Sequence, residues 1–402
     1  MKNKVCILSP GFLPVPDVQG GAIERVVTML VEENEIEKKL DLTILSIPSE
    51  KAQIAANAFK ESKFLYLPSG LGTKSCNFIT KLHSFLFWKL NLDLSFLTRL
   101  VSPFNNWLRE NGKSFDLIIN ENGPLFLNYN ASQSLGRNKF CYHLHGNTRE
   151  NRMLSKAFGN IISVSDFINQ QYLKSSKLPA YKVRTVFNGI DTSKFEKKLE
   201  VTEKTKIRSS LGLKSDDFVI VYCGRIVPQK GVKELIEAIL LLNNPKIKLL
   251  VIGSSNFGLG DIGEYPEQVK NLVALHPEQI KFTGFIPNPE IYKYHQIADV
   301  GVVPSTYTDP CPLALFELIT SGLPTITTAA GGMLEIGTEK TTLFVDINNI
   351  VAELSDAILN LYNDKNLRES MSQNAIIRRE YFTRKRFYND FCDVVSSLVE
   401  KK

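Results

Sequence analysis

The sequence is poor in residues that would mark several protein classes. Its 402 residues include six cysteines, five histidines, five methionines and two tryptophans. The cysteines stand at positions 6, 76, 141, 223, 311 and 392, so no CxxC pair exists to bind zinc or to cycle between thiol and disulfide. Cys6, Cys141 and Cys223 lie inside apolar runs and read as buried thiols of a reducing cytosol. No Asp-x-Asp pair occurs anywhere. The opening MKNKVCILSPGF has too short an apolar run for a secretory signal and reads as a first strand. The most apolar region, 75–108, is broken by Lys81, Lys89, Asp93 and Arg99, so no segment spans a bilayer. Net charge is only +6, short of a dedicated nucleic-acid binder, and nucleic acid is excluded as a partner. That charge is unevenly spread: residues 1–196 hold 24 Lys and Arg against 17 Asp and Glu, a surplus of 7, and the remainder stands at −1.

What is present is alternation. Short β-rich runs alternate with helix-length amphipathic stretches. The first series of strands is expected at Val5–Ser9, Leu42–Ile47, Phe64–Leu67, Leu117–Asn120, Phe140–Leu144, Ile161–Ser165 and Val183–Phe187. The second is expected at Val219–Cys223, Lys248–Ile252, Ile280–Thr283, Val300–Val303, Thr325–Thr327 and Leu343–Val345. Many of these are near-continuous apolar runs, as expected of parallel strands covered on both faces. The fold class is therefore α/β, two doubly wound Rossmann-like domains facing a cleft. The expected division is 1–190, 191–375 and a helical tail 376–402 packing back toward the N-terminal domain. The seam is placed at Asn188–Leu213, where the Lys/Glu-rich EKKLEVTEKTK shows almost no apolar periodicity.

Ligands of doubly wound sheets bind beyond the carboxyl ends of strands, so motifs just after strands matter most. Gly258, Gly260 and Gly263 spell GxGxxG, yet five residues separate the preceding strand from Gly258, and Gly263 runs into Glu264-Tyr265-Pro266 before any expected helix. This reads as a glycine loop rather than a dinucleotide turn. After Val219–Cys223 comes GRIVPQKG, which puts Arg225 and Lys230 in a strand-to-helix turn with Gly224. A guanidinium fork, an ammonium and helix-terminal amides suit a diphosphate, although a solvated basic turn has the same composition. After Val300–Val303 comes PSTYTDPCPLALFEL. Pro312 is expected in the first helical turn, where no N–H is needed. Leu313 and Ala314 then offer N–H groups to an anion, and Glu317 one turn on can accept two ribose hydroxyls. Asp309 before the helix can accept sugar hydroxyls. The bland alternatives are a solvated loop acid for Asp309 and a helix-dipole partner for Glu317. Ala330-Gly331-Gly332 after Thr325–Thr327 permits close backbone approach.

Together these pieces resemble the nucleotide-binding domain of family 4 glycosyltransferases with the GT-B fold. The run is GRIVPQKG, FTGFIP, ADVGVVPS, DPCPLALFE and SGLPTITTAAGGMLEI, in that order. The N-terminal half contributes PGFLPVPDVQGGAIERVV, YHLHGN, IISVSDF and VFNGID, similar to bacterial spore-coat and surface-polysaccharide transferases. The resemblance implies retaining transfer from a nucleotide-diphosphate sugar, UDP- or GDP-linked, to a glycan or lipid-linked acceptor in surface polysaccharide biosynthesis. By position, Arg225 and Lys230 would hold the diphosphate, Glu317 the ribose and Asp309 the donor sugar. The backbone near Phe285 and Ile286 would face the base. Gly20 and Gly21 would approach the diphosphate or acceptor, and His145 the donor sugar or leaving group. Two departures stand out: Asp309 is one methylene shorter than the family's glutamate, and Pro312 replaces a common glycine and offers no N–H. They are also the only hints of a different reading, a non-catalytic glycan- or nucleotide-binding coat or scaffold protein of the same fold.

The missing Asp-x-Asp pair agrees with a metal-independent transferase that needs no cofactor beyond the donor. His143 and His145 share a face of a strand end, and Cys141 has the same parity. A metal there would need further ligands nearby, so no metal is expected and only His145 is taken as a site residue. Segment Cys76–Trp107 is rich in Phe, Leu and Trp and punctuated by Lys and Arg. It suits an anionic membrane surface as partner, or packing on the first sheet, or an acceptor groove. The expected location is cytoplasmic, peripheral on the inner face of the plasma membrane.

Overall fold

The computed structural model describes residues 2–67, 103–255 and 263–400. The chain divides into two units, Met1–Gly189 with Arg384–Lys402, and Ile190–Thr383. The second division thus falls at Thr383/Arg384, eight residues beyond the expected 375/376. The helix Lys365–Arg378 stays with the second unit, and only the helix Arg384–Glu400 returns to the first.

Among the described residues the first unit holds seven strands: β1 (Asn3–Leu8), β2 (Leu40–Ser46), β3 (Lys63–Tyr66), β4 (Leu117–Glu121), β5 (Phe140–Leu144), β6 (Asn160–Ser163) and β7 (Val183–Thr185). The second holds β8 (Phe218–Cys223), β9 (Ile247–Ile252), β10 (Ile280–Gly284), β11 (Val300–Val303), β12 (Thr325–Thr328) and β13 (Thr342–Val345). Each of these strands overlaps a stretch read as a strand. The two sheets are ordered β3-β2-β1-β4-β5-β6-β7 and β10-β9-β8-β11-β12-β13, and every pairing is parallel. In each, the winding reverses beside the first strand of the unit, between β1 and β4 and between β8 and β11. A reversal sends the two loops that follow those strands to opposite faces and leaves a crevice between them.

Strand alternation builds both faces of the second sheet. Phe218, Ile220 and Tyr222 pack with the helices Val232–Leu241 and Ile350–Asn363, whereas Val219 and Val221 pack with the helix Leu313–Thr320. In the first unit the helix Arg384–Glu400 docks on the helix Ala22–Glu37. Arg384 reaches Glu32 at 2.9 Å and Glu33 at 2.8 Å, and Tyr388 donates its hydroxyl to Asn34 Oδ1 at 2.5 Å.

Three local expectations change. The polar seam contains a helix, Val201–Ser210, none of whose residues is buried, so it had no apolar period to show. Pro312 is the cap residue rather than the first helical residue; its ψ of 114° is non-helical, and the helix begins at Leu313. A helix begins at Glu264, directly after Gly263, with Pro266 in its first turn. Gly258 and Gly260 lie outside the described residues, as does Cys76 and most of the apolar segment. The described part of that segment, Phe104, Trp107 and Leu108 on the helix Pro103–Asn111, packs into the core of the first unit. Among the described residues no helix is long and apolar enough to cross a membrane.

Candidate functional site

The switch point of the second unit gathers Arg225, Lys230 and Asp309. The loop after β8 passes through a tight turn, Pro228–Lys230, and the loop after β11 lies against it: Thr306 N donates to Gln229 O at 3.0 Å and Thr306 Oγ1 to Pro228 O at 3.1 Å. Gly231 makes this approach possible. Its φ is 69°, and a Cβ there would stand 1.8 Å from Pro304 O. The close approach puts Lys230 Nζ 2.5 Å from Asp309 Oδ2, over the ring of Tyr307 at 5.4 Å from its centroid. Ser305 Oγ donates to the same Oδ2 at 3.4 Å. Burial, reinforced by the charge of Asp309, pushes the Tyr307 hydroxyl well above the usual phenol range, so it stays a neutral neighbour of the lysine.

Asp309 is buried, which removes the reading of a solvated loop acid. Its backbone is clasped by the glycine pair after β12: Gly332 N donates to Asp309 O at 2.9 Å, and a Cβ on Gly331 (φ 64°) would stand 2.4 Å from that oxygen. Arg225 is exposed, and its carbonyl accepts from Tyr222 Oη at 2.8 Å. Gly224 N donates to Ile252 O at 3.0 Å, so the β8 and β9 loops also run backbone to backbone. Glu317 lies half-buried in the second turn of its helix and accepts from Asn288 Nδ2 at 2.9 Å. Leu313 and Ala314 are the first two helical residues and are half-buried. Phe285 is exposed and Ile286 packs on the core. A cavity of about 850 Å³ lined by Phe195, His295, Asp299, Pro324 and Arg379 opens at the other end of this sheet, before β11 and β12.

At the switch point of the first unit, Gly20 and Gly21 lead from β1 into the helix Ala22–Glu37. Gly20 N donates to Asp17 Oδ1 at 2.8 Å. The Glu24 carboxylate folds back over Gly21, within 2.2 Å of where a Cβ would stand. Burial, with the charge of Asp17 adding to it and a bond from its own backbone opposing, pushes the Glu24 carboxyl up to about 7. From the neighbouring strands come Glu121 at the end of β4 and His143 within β5, paired across the ladder, with His145 just beyond. His145 Nε2 lies 2.8 Å and His143 Nδ1 2.9 Å from Glu121 Oε2. Burial, with His143 adding to it, lowers His145 to about 4, so its ring is neutral near pH 7. For Glu121 burial acts upward, but the two imidazoles outweigh it and hold the carboxyl at about 2.

Sequence reasoning named Lys230 and Asp309, which the structure brings together, and Arg225, which stands exposed in the loop after β8, but gave no role to Tyr307, Ser305, Asn288, Glu24 or Glu121. Glu121 escaped because the fourth strand was ended at Asn120. A carboxylate closing an apolar strand beside the HLH run was the available signal.

Residues 203–378 match the model of the family described as Glycosyl transferases group 1. A glycosyltransferase of Methanocaldococcus jannaschii, itself uncharacterized, is 30% identical over 177 residues, 44% of this chain and 44% of its own. The chain thus matches less than half the length of that relative. Spore coat protein SA of Bacillus subtilis is 24% identical over 340 residues, 83% of this chain and 82% of its own. Among solved structures, HepE of Anabaena in complex with UDP is similar with a TM-score of 0.75 at 18% identity, covering 99% of this chain and 100% of that one. HepE has also been solved with UDP-glucose. At that identity the likeness establishes fold, and it agrees with the two parallel sheets described above. The chain is therefore built on the GT-B fold, and its residues 203–378 are similar to the glycosyl transferases group 1 family.

Proposed function

We propose that the protein transfers a hexosyl or related sugar from a nucleotide-diphosphate sugar to a glycan or lipid-linked acceptor, with retention at the anomeric carbon, in surface polysaccharide biosynthesis. The observation that carries this reading is the Lys230–Asp309 pair, 2.5 Å apart at the switch point beside Arg225. A diphosphate needs cations that are held in place without being used up. Asp309 holds the Lys230 ammonium, which lies over the ring of Tyr307. The lysine has three N–H donors; one goes to Asp309 and one reaches Tyr307 Oη at 3.5 Å, which leaves one for a phosphate oxygen.

Lys230 and Ser305 both reach Asp309 at Oδ2, which leaves Oδ1 for a donor-sugar hydroxyl. Glu317 takes the ribose, with Asn288 holding its other oxygen. The amides of Leu313 and Ala314 add the positive end of a helix of eight residues. Phe285 and Ile286 supply the backbone edge for the base. Support for a uridine nucleotide comes from HepE, solved with UDP and with UDP-glucose; GDP is the alternative. In the first unit, Gly20 and Gly21 face the diphosphate or acceptor and His145 the donor sugar.

The bond that breaks joins the anomeric carbon to a phosphate oxygen, and its electron pair leaves with the nucleoside diphosphate. The acceptor hydroxyl forms the new bond on the same face, and its proton passes to the leaving phosphate oxygen. Negative charge grows on that oxygen, where Arg225, Lys230 and the helix amides stabilise it, so the diphosphate itself needs no metal. Peripheral binding to the inner face of the plasma membrane is part of the proposal, motivated by the positive first unit. Flotation with anionic vesicles at low salt tests it, and protein left at the bottom counts against it. The transfer reading is tested with Lys230→Ala and Glu317→Ala, assayed for donor hydrolysis and transfer with folding checked by circular dichroism. Both should lose activity; near-normal turnover in either folded variant would sink the assignment.

A further inference from the structure

The cluster of Glu121, His143 and His145 is more than a sugar contact requires. One ligating atom from each residue lies within 4.8 Å of the others. All three side chains are shut away from solvent, 3%, 1% and 7% exposed respectively. His143 is the unexplained member. Its Nδ1 approaches Glu121 at an angle that makes no hydrogen bond, and its Nε2 has no partner. Leaving a buried polar group unsatisfied is costly, and burying a carboxylate without a full set of partners costs more. A fold that places an unsatisfied imidazole against a buried carboxylate and a second imidazole is accounted for if a cation completes the set.

The scaffold suits an ion. Glu121 and His143 are paired across the β4–β5 ladder, and His145 follows two residues on with the same parity. Strand ends in the middle of a parallel sheet hold side chains more tightly than loops do. Two imidazoles and one carboxylate are the ligands of a borderline metal and would be a poor set for calcium or magnesium, which take oxygen ligands.

We propose that Glu121, His143 and His145 bind a single divalent transition-metal ion of the zinc type, through Oε2, Nδ1 and Nε2, with a fourth position open to water or a ligand oxygen. Zinc with bonds of about 2.0–2.1 Å in a tetrahedral set spreads its ligands roughly 3.3 Å apart. Glu121, now 2.8 and 2.9 Å from the two nitrogens, would draw back by a few tenths of an ångström. His145 keeps Nδ1 for the donor sugar, and the ion fixes that tautomer. The ion belongs to the first unit and takes no part in holding the diphosphate, so the proposal stands or falls apart from the transfer reaction.

The test uses the full-length protein, dialysed with zinc and then freed of excess, with bound metal measured by elemental analysis. One zinc per chain is expected, with a raised unfolding temperature, because an ion that binds only the native state stabilises it. Cobalt(II) in its place should give the strong visible absorption of a four-coordinate site. Glu121→Gln and His143→Gln should each weaken zinc binding by more than the roughly 10–100-fold typical of an outer-shell partner. Such a loss in either folded variant upholds the site. No retained zinc, or unchanged affinity in both variants, overturns it. If neither variant folds, zinc X-ray absorption of the wild type decides: two imidazoles per ion upholds the site, and fewer overturns it.

Discussion

The two units place opposite chemistry at the same topological position. In the second unit the switch point presents Arg225 and Lys230, with Asp309 buried behind the lysine. In the first it presents carboxylates and neutral imidazole, Glu24 against Gly21 and Glu121 against two histidines. Net charge runs the other way. The first unit carries 28 Lys and Arg against 18 Asp and Glu, a surplus of 10, whereas the second carries 20 against 24 and stands at −4. The lesson is that net charge and site charge are separate quantities. On the proposed reading, an anionic diphosphate is served by Arg225 and Lys230 in a unit whose net charge is −4. The basic surplus of the first unit lies on its surface, where it can attract an anionic acceptor or membrane without touching the chemistry.

The largest effect expected from breaking this contrast is on turnover. Lys230→Ala should cost about 10²–10³ in kcat, the scale of a lost transition-state donor, whereas Glu24→Gln at the matching place in the first unit should cost far less. A steady-state comparison of the two variants checks it. Next comes the backbone that holds the lysine. Gly231→Ala must place a Cβ 1.8 Å from Pro304 O at a φ of 69°, so the loop must shift. A cost of about 1–3 kcal/mol lowers the melting temperature by several degrees, roughly 2–4 °C per kcal/mol for a unit of this size. Calorimetry reads this, and activity should fall with it because Lys230 moves.

A third prediction concerns coupling. Lys230 and Asp309 touch, so the effects of Lys230→Ala and Asp309→Ala on turnover should fail to add by at least about 0.5 kcal/mol. A cycle pairing Lys230→Ala with Arg225→Ala serves as reference. The smallest expected effect is in pH dependence, where the units should slope in opposite directions. Glu24 has its folded-state value raised to about 7, so the folded state binds the extra proton and stability falls as pH rises from the ordinary carboxyl range toward 7. Burial lowers His295 in the second unit to about 3, so its contribution is intact above the ordinary histidine value and is lost as pH falls toward 3. Urea midpoints across pH for Glu24→Gln and His295→Asn should each lose one of these slopes.

Much of the fold was legible because many parallel strands buried on both faces leave near-continuous apolar runs, and each strand among the described residues overlaps a stretch read as a strand. Strand order was not legible, since nothing in an apolar run names its neighbour, and the two switch points emerge only from the ladders. The helix Val201–Ser210 was missed because a helix with no buried residue carries no periodic signal. In the second unit, candidate residues followed their strands directly, and Arg225, Lys230 and Asp309 were readable from their place. The contact between Lys230 and Asp309, 79 residues apart, was not. It depends on Gly231 and Gly331 letting three loops meet, a matter of backbone space that composition does not display. Phe104 and Trp107 lie on an amphipathic stretch whose periodicity suited a membrane surface, the first sheet or an acceptor groove alike, and in the fold they pack into the core of the first unit.

The central claim is that the β8–β11 switch point binds a nucleoside diphosphate through Lys230. The most direct measurement is the thermal shift of the full-length protein with UDP, GDP and ADP, repeated on Lys230→Ala. The account predicts that at least one of the three raises the unfolding temperature of the wild type and does so by much less in the folded variant. Equal shifts in both proteins, or no shift of the wild type with any of the three, would contradict it.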